Sequence, residues 1–373
     1  MIADLKVIRI TGVFHRNLTS TITKALGAAG VNDYHLSAGR WIVLKERRGF
    51  LGIKAAAKEV DHPIDVVTIL VEPELEAGVL KTIIDSGDIA TPGRGSVFSE
   101  DVIIYKAHDL CRPVKTGPQV TTPIKLQCEL AGICCIVQRG EGNEVARVPL
   151  DTGTCVPAIT YGHGTGVRDK LGLLRISIPA EKEVITMSSS SYDAETIMNL
   201  MITEGKLNQP GKGFIYLFPI RAGQINMKVI QGMPKHAASM EQIIVALDEL
   251  RGGTSWRARG GSIGLASKRR DFLQDLVSLN YTCNEGWGEN LMKEAMKIGV
   301  PGATMTRTKH VCPQDSDTKR ISPAREVCNM VIAENQVEGV VKVMEDKGAL
   351  NDNTHGQFCL SRVPRAYTFI SKN

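Results

Sequence analysis

The sequence predicts an α+β protein built from three similar segments. Asp65–Phe98 aligns without a gap on Glu183–Tyr216, and Glu326–Cys359 repeats the same order of features. Each stretch opens with an acidic residue, followed by an apolar strand, an amphipathic helix, a glycine-containing turn and another apolar run. Because internal repeats reveal the folding unit, we expect three units that each occupy about a third of the chain.

The first unit predicts the order strand, helix, strand, strand, helix, strand. Alternating apolar residues predict a strand at Leu5–Phe14, and the apolar spacing from Leu75 to Ile84 predicts a helix over Glu74–Asp85. The remaining predicted elements are a helix at Leu18–Ala29 and strands at Tyr34–Lys45, Ile64–Val71 and Ser96–Tyr105. Two split βαβ halves of this kind form a four-stranded antiparallel sheet with both helices on one face, the ferredoxin-like arrangement.

The other two units repeat this order. The second has predicted strands at Lys125–Val137, Val156–Tyr161 and Leu174–Ile178 and a weak helix at Glu144–Pro149. The third has predicted helices at Glu289–Ile298 and Gln336–Asp346 and strands at Phe272–Cys283, Ala303–Cys312 and Glu326–Ile332. The predicted domains are therefore 1–115, 120–230 and 271–373, with a helical and glycine-rich linker at 231–270 and loops at 46–63, 166–173 and 313–323. Three sheets can bury their uncovered faces against one another, which predicts an intramolecular pseudo-trimer.

Composition favours an ordinary globular protein. Apolar residues make up 43% and charged residues 23% of the 373 residues, and the net charge of +5 is spread thinly. With only 5% aromatic residues and no long basic stretch, a nucleic-acid surface is not expected. No apolar run predicts a signal peptide or membrane span, so we expect a cytoplasmic protein that is not embedded in a membrane. The nine cysteines form no CxxC pair and are expected to be buried thiols.

Two equivalent turns are candidate phosphate-binding sites. Gly93, Arg94 and Gly95 follow Pro92, and Gly211, Lys212 and Gly213 follow Pro210, each between the second helix and the last strand of a unit. Glycines allow backbone amides to approach an anion, and the intervening cation adds charge. An ordinary tight turn is the alternative. The third copy has His355 and Gly356 but lacks the proline and the permanent cation, so a degenerate third unit is expected.

Other candidate ligand-binding residues flank these turns. Gly162, Gly164 and Thr165 form a flexible segment that can lie against a base or phosphate, although a plain hinge is equally consistent with it. Arg221, Arg362 and Arg365 follow the last strands of the second and third units, where each can reach a phosphate held by a neighbouring unit or simply be solvated. No catalytic motif is present, so an enzyme is not expected.

Together these features resemble the nitrogen regulatory PII signalling family. Members of that family are βαββαβ subunits that assemble as trimers and bind adenine nucleotides in the clefts between subunits. The resemblance rests on Asp65–Phe98 and Glu183–Tyr216 and is fainter in Glu326–Cys359. It implies that the glycine turns cradle phosphates, that Gly162 and Gly164 lie where the long loop of the family begins, and that the three arginines reach across the clefts. The chain then resembles three fused subunits in one monomeric polypeptide.

The resemblance implies a regulatory protein. It would bind ATP, ADP or AMP, with or without magnesium, and regulate a partner transporter or enzyme through its loops. None of the three predicted loops contains a tyrosine, so control by tyrosine modification is not expected. Two alternatives remain: a structural scaffold that binds no ligand, and a metal-binding or catalytic relative that uses His163, His310 or Cys312.

Overall fold

The computed structural model describes residues 2–48, 54–120, 124–166, 181–226, 230–231, 250, 270–312 and 321–370. The first segment contains β1 (Ile2–His15), α1 (Thr19–Ala28), β2 (Tyr34–Arg48), β3 (Lys54–Val71), α2 (Glu76–Gly87) and β4 (Gly95–Ala107). The second contains β5 (Leu130–Gln138), α3 (Gly142–Asp151), β6 (Ala158–Gly166), β7 (Glu181–Ser190), α4 (Ser191–Glu204) and β8 (Gly213–Ile220), followed by β9 (Ala222–Gln224) and β10 (Ile230–Gln231). The third contains β11 (Leu276–Asn284), α5 (Gly288–Lys297), β12 (Gly302–Val311), β13 (Ala324–Ala333), α6 (Val337–Asp346), β14 (Gln357–Val363) and β15 (Arg365–Thr368).

The predicted fold class is wrong, because the three segments are not separate domains. Their strands hydrogen-bond into one sheet of 15 strands, in the order β10-β2-β3-β1-β4-β14-β11-β13-β12-β6-β7-β5-β8-β15, with β9 paired to β4. In addition, β2 pairs with both β6 and β12. The backbone hydrogen-bonding groups at the strand edge of one segment are therefore paired with a strand of another segment. The described chain is one large, mainly antiparallel sheet with six short α-helices, rather than three ferredoxin-like domains forming a pseudo-trimer.

Strand pairings near the end of each segment join the three segments into one continuous sheet. The end of β4 pairs with the start of β14, β15 pairs with β8, and β9 pairs with the start of β4. Each segment thus adds backbone hydrogen bonds to the last strand of another segment. Apolar cores lie between the sheet and the helix pairs α1–α2, α3–α4 and α5–α6, and further apolar clusters lie where segments meet.

The acidic residue that opens each repeat contacts the beginning of the first helix of its segment. Asp65 accepts a hydrogen bond from the Thr19 hydroxyl at 2.7 Å. Glu183 Oε2 accepts from the amides of Gly140 and Gly142 at 3.1 and 2.8 Å, and Glu326 Oε2 accepts from the Gly288 amide at 2.8 Å. A carboxylate satisfies the unpaired amides at a helix N-terminus and interacts favourably with the helix dipole. The repeated acid therefore has a structural role.

Other local predictions have mixed outcomes. The predicted loop 46–63 is wrong over most of its length, because β2 extends to Arg48 and β3 begins at Lys54. The weak helix in the second segment is present as α3, which tolerates Pro149 in its last turn. The predicted strand Leu174–Ile178 and nearly all of the 231–270 linker lie outside the described residues. No helix among the described residues is long and apolar enough to cross a membrane.

Candidate functional site

A cavity of about 770 Å³ lies between the second and third segments. β6, β7 and β8 contribute lining residues from the second segment, β11, β12 and β13 contribute them from the third, and the chain after β15 also lines the cavity. Its volume is within the range usual for small-molecule sites. We take this cavity as the candidate functional site.

Apolar side chains form most of the cavity wall. Phe214 follows the second glycine turn on β8, and Phe369 follows β15. Leu276 and Val331 lie on β11 and β13 of the third segment. Aromatic and branched apolar side chains of this kind suit a flat heterocyclic ring.

The second glycine turn contributes one residue, Gly213, to the polar part of the cavity wall. Gly213 lines the cavity, and its carbonyl accepts a hydrogen bond from Thr368 at 2.9 Å. Lys182 also lines the cavity. It lies opposite Gln138 in the pairing of β5 with β7, and the side-chain amide of Gln138 donates to the Gly211 carbonyl at 3.0 Å. A cation therefore lies at the same end of the sheet as the turn. This part of the cavity wall suits an anionic group.

Gly164 and Thr165 line the same cavity from β6. They lie there because β6 pairs with β12, where Thr165 is opposite Ala303 and Gly164 is opposite Thr304. The Thr165 hydroxyl donates to the Ala303 carbonyl at 3.4 Å. Gly162 does not line the cavity: a side chain there would lie 2.9 Å from Thr304, so this glycine allows β6 and β12 to approach closely.

The cation of the second turn is paired with an acid. Lys212 Nζ donates to Glu141 Oε1 at 2.7 Å, and this contact raises the pKa of Lys212. Both side chains are partly exposed, so the pair contributes about 1 kcal/mol or less. Neither side chain of this pair lines the cavity.

The first turn also has a positive φ at its first glycine, but its polar groups are paired within the chain. Gly93 has a positive φ of 93°, and its amide donates to Asn226 Oδ1 at 3.1 Å. Arg94 Nε donates to the Gly87 carbonyl at 2.8 Å and lies 3.5 Å from Asp88. A side chain at Gly95 would lie 2.6 Å from a β1 carbonyl oxygen, and one at Gly213 would lie closer still to a β5 carbonyl oxygen, so this close packing is common to both turns. The difference is that the Gly93 amide, like the side chain of Arg94, is hydrogen-bonded within the protein.

The third turn is packed against a histidine–aspartate cluster. His108 Nε2 lies 2.9 Å from Asp352 Oδ1, and candidate ligand atoms of these residues and His355 all lie within 4.8 Å of one another. However, His108 Nδ1 accepts from the Leu110 amide, and the Asn284 amide nitrogen faces His355 Nδ1, both at 3.2 Å. These donors place the ring protons on the Nε2 atoms, where a metal would need a lone pair. The contacts favour a hydrogen-bonded cluster over a metal centre.

The three predicted arginines do not line the cavity. Arg221 does reach the first segment, but it pairs there with Glu76 at 2.9 Å and Asp101 at 3.1 Å. Arg365 pairs with Glu195 and lies 5.7 Å from the centre of a phenylalanine ring. Arg362 is exposed on β14. Of the twelve predicted residues, Gly164, Thr165 and Gly213 lie together at the cavity.

Buried thiols offer little nucleophilic chemistry. Seven of the nine cysteines are buried, which confirms the sequence prediction for those seven. Burial raises the pKa of Cys111 and Cys134 to about 11 and that of Cys155, Cys283 and Cys359 to about 12. Because the thiolate is the reactive form, these groups are protonated and unreactive at neutral pH.

A second cavity of about 300 Å³ is lined by residues of all three segments, including several threonines together with Arg9 and Glu100. Arg9 donates to both carboxylate oxygens of Glu100, at 3.0 and 2.9 Å. The guanidinium is therefore already neutralised by a bidentate partner. The larger cavity between the second and third segments has the better arrangement for an anionic ligand.

No protein-family model and no curated protein matches this chain. One solved structure to which it is similar is CrmK, described as a flavoenzyme involved in the shunt product recycling mechanism in caerulomycin biosynthesis, with 10% sequence identity and a TM-score of 0.16. The match covers 84% of this chain and 55% of CrmK, so the chain spans about half the length of that enzyme. A TM-score this low carries no argument about fold or function.

Proposed function

We propose that this chain is a non-enzymatic regulatory protein that binds an adenine nucleotide in the cavity between its second and third segments. The observation that carries the proposal is the convergence of Gly164, Thr165 and Gly213, which belong to two motifs far apart in the sequence, on a cavity of about 770 Å³. The resemblance of the same motifs to the PII family supports an adenine nucleotide as the ligand. Regulation of a partner transporter or enzyme, in the cytoplasm, belongs to the same proposal.

The cavity wall offers surface for both parts of a nucleotide. Phe214, Phe369 and Val331 provide apolar surface for the base. Lys182 provides positive charge for phosphates, and Gly213 allows a close approach of the backbone beside it. Only one such site is expected per chain, because the first turn is occupied by Asn226 and the third by the histidine–aspartate cluster.

The ion pair between Lys212 and Glu141 is next to Gly213 although it does not line the cavity, and it offers a way to distinguish nucleotides by their charge. A triphosphate carries more negative charge than a monophosphate and competes better with Glu141 for the lysine. Regulation requires ATP and AMP to differ in their affinity for two states of the protein, because a ligand shifts an equilibrium only by its differential affinity. We expect ATP to release Glu141 and AMP to leave the pair closed.

Isothermal titration with ATP, ADP and AMP, with and without magnesium, tests the proposal. Lys182→Ala is expected to weaken ATP binding about tenfold, which corresponds to about 1.4 kcal/mol. Arg94→Ala is the matched control, because it removes the equivalent cation from the first turn and should leave binding unchanged. If none of the three nucleotides binds, the proposal fails and the scaffold alternative gains support. If Arg94→Ala abolishes binding and Lys182→Ala does not, the proposed location is wrong.

A further inference from the structure

A much smaller cavity, of about 30 Å³, lies where β2 meets β12. His35 and His310 are opposite each other in this strand pair, and their rings stack at 5.0 Å. Arg325, at the start of β13, also lines the cavity. This site is separate from the proposed nucleotide cavity and involves the first and third segments.

Three buried nitrogen atoms around this cavity have no hydrogen-bond partner in the described structure: His35 Nδ1, His310 Nδ1 and Arg325 Nε. Arg325 is 2% exposed and His310 is 5% exposed. Buried polar nitrogens are almost always satisfied by protein, water or an ion. Three unsatisfied nitrogens at one small cavity therefore indicate a bound species.

The charge balance identifies the sign of that species. Arg325 donates to Asn284 Oδ1 and to backbone carbonyls, including that of His355 at 2.7 Å, but it pairs with no carboxylate among the described residues. Asp33 is the acidic residue that lines the cavity, and it faces His310 Nε2 at 3.0 Å. Arg112 lines the cavity too, but it is exposed to solvent. A buried guanidinium without a counter-charge is costly, which favours an anion over neutral water.

The donors and the volume define the ligand class. Arg325 Nε always carries a hydrogen, and His35 can present one on Nδ1 while neutral. His310 Nδ1 carries a hydrogen only in the doubly protonated ring, since Nε2 faces Asp33. A volume of about 30 Å³ has room for about two waters or one monatomic ion and excludes phosphate and larger anions. We propose that this cavity binds a single halide ion, such as chloride, between Arg325 Nε and His35 Nδ1.

Thermal unfolding of the full chain in sodium chloride, sodium bromide and sodium gluconate at equal ionic strength tests this site. Chloride and bromide are expected to raise Tm in a saturable manner by roughly 2–4 °C relative to gluconate. His35→Phe keeps an aromatic ring against His310 but removes the donor, so the halide effect should be lost. His62→Phe is the control, because His62 also belongs to a histidine pair, with His15, but lies outside this cavity.

Two results would overturn the halide site. One is an equal Tm in halide and gluconate for the unaltered protein, which would assign the cavity to water. The other is an undiminished halide effect in His35→Phe. A crystal of the unaltered protein grown in bromide gives an independent test that does not depend on the variants folding. A peak for bromide in the anomalous difference map is expected beside Arg325 Nε. Its absence at saturating bromide contradicts the proposal.

Discussion

Replacing Glu183 with glutamine removes the negative charge that holds the beginning of α3 against the sheet. Glu183 is 4% exposed, and one of its oxygens accepts from the amides of Gly142 and Gly140 at 2.8 and 3.1 Å. Its other oxygen accepts from Arg40 at 3.2 Å. Glutamine keeps one acceptor oxygen but turns an NH₂ group toward either the amides or Arg40, so one set of donors loses its partner.

The magnitude follows from these contacts. Loss of a partly buried carboxylate at a helix N-terminus costs about 1 kcal/mol. Loss of one hydrogen bond between charged groups costs about another 1–2 kcal/mol, moderated here because Arg40 retains Asp61 at 2.8 Å. Glu183→Gln should therefore lower the free energy of unfolding by about 2 kcal/mol.

Urea unfolding measures this change, with Glu181→Gln as the matched control. Glu181 is two residues away on the same strand, but it is exposed and pairs only at the surface with Arg139, at 2.8 Å. Its replacement should change stability by less than about 0.5 kcal/mol. Equal effects of the two substitutions would refute the structural role assigned to the repeated acid.

Two further stability changes follow from buried positions. In Gly356→Ala the new methyl group would overlap the Ala349 carbonyl oxygen and lie 2.8 Å from the Tyr281 ring, so urea unfolding should show that the free energy of unfolding falls by about 3 kcal/mol. Gly339→Ala is the control: its methyl group enters open space on α6, and the free energy of unfolding should rise by about 0.5–1 kcal/mol. Similar results for both variants would contradict this packing. Burial raises the pKa of Cys155 from 9.0 to about 12, so only the unfolded state releases this proton near pH 10, and stability falls as pH rises above 9. The loss of stability between pH 8 and 10 should be about 1 kcal/mol smaller in Cys155→Ala, and an unchanged loss would place this thiol in contact with solvent.

Features that depend on nearby residues can be predicted from this sequence. The helices that carry clear apolar periodicity lie close to their predicted bounds, and the two glycine turns have the positive φ angles that glycine permits, 93° at Gly93 and 73° at Gly211. The charged end of β2 (46–48) and the charged, alanine-rich start of β3 (54–59) lack an apolar alternation, so the extension of both strands into the predicted loop is not evident from local pattern.

Features that depend on contacts between segments cannot be read from local pattern. The first and second turns have similar sequences, yet they differ in their surroundings. The Gly93 amide of the first turn donates a hydrogen bond to Asn226, whereas the second turn adjoins the large cavity. Leu276 and Val331 line the cavity only because β11 and β13 of the third segment lie around it together with β8 of the second. The pairing of strands from different segments into one sheet likewise depends on edge complementarity over long sequence distances. Lys182 could have been suspected as a cation next to the repeated acid.

Filling the large cavity tests the central claim most directly. Val331→Trp places an indole inside the space proposed for the base, and Ile103→Trp makes a matched change on β4, where Ile103 is 37% exposed. Thermal unfolding first confirms that both variants are folded, and isothermal titration with ATP then measures affinity and stoichiometry. The proposal predicts one ATP per chain for the unaltered protein and Ile103→Trp, and at least tenfold weaker binding for Val331→Trp. Undiminished binding by Val331→Trp, or no binding by the unaltered protein, would contradict it.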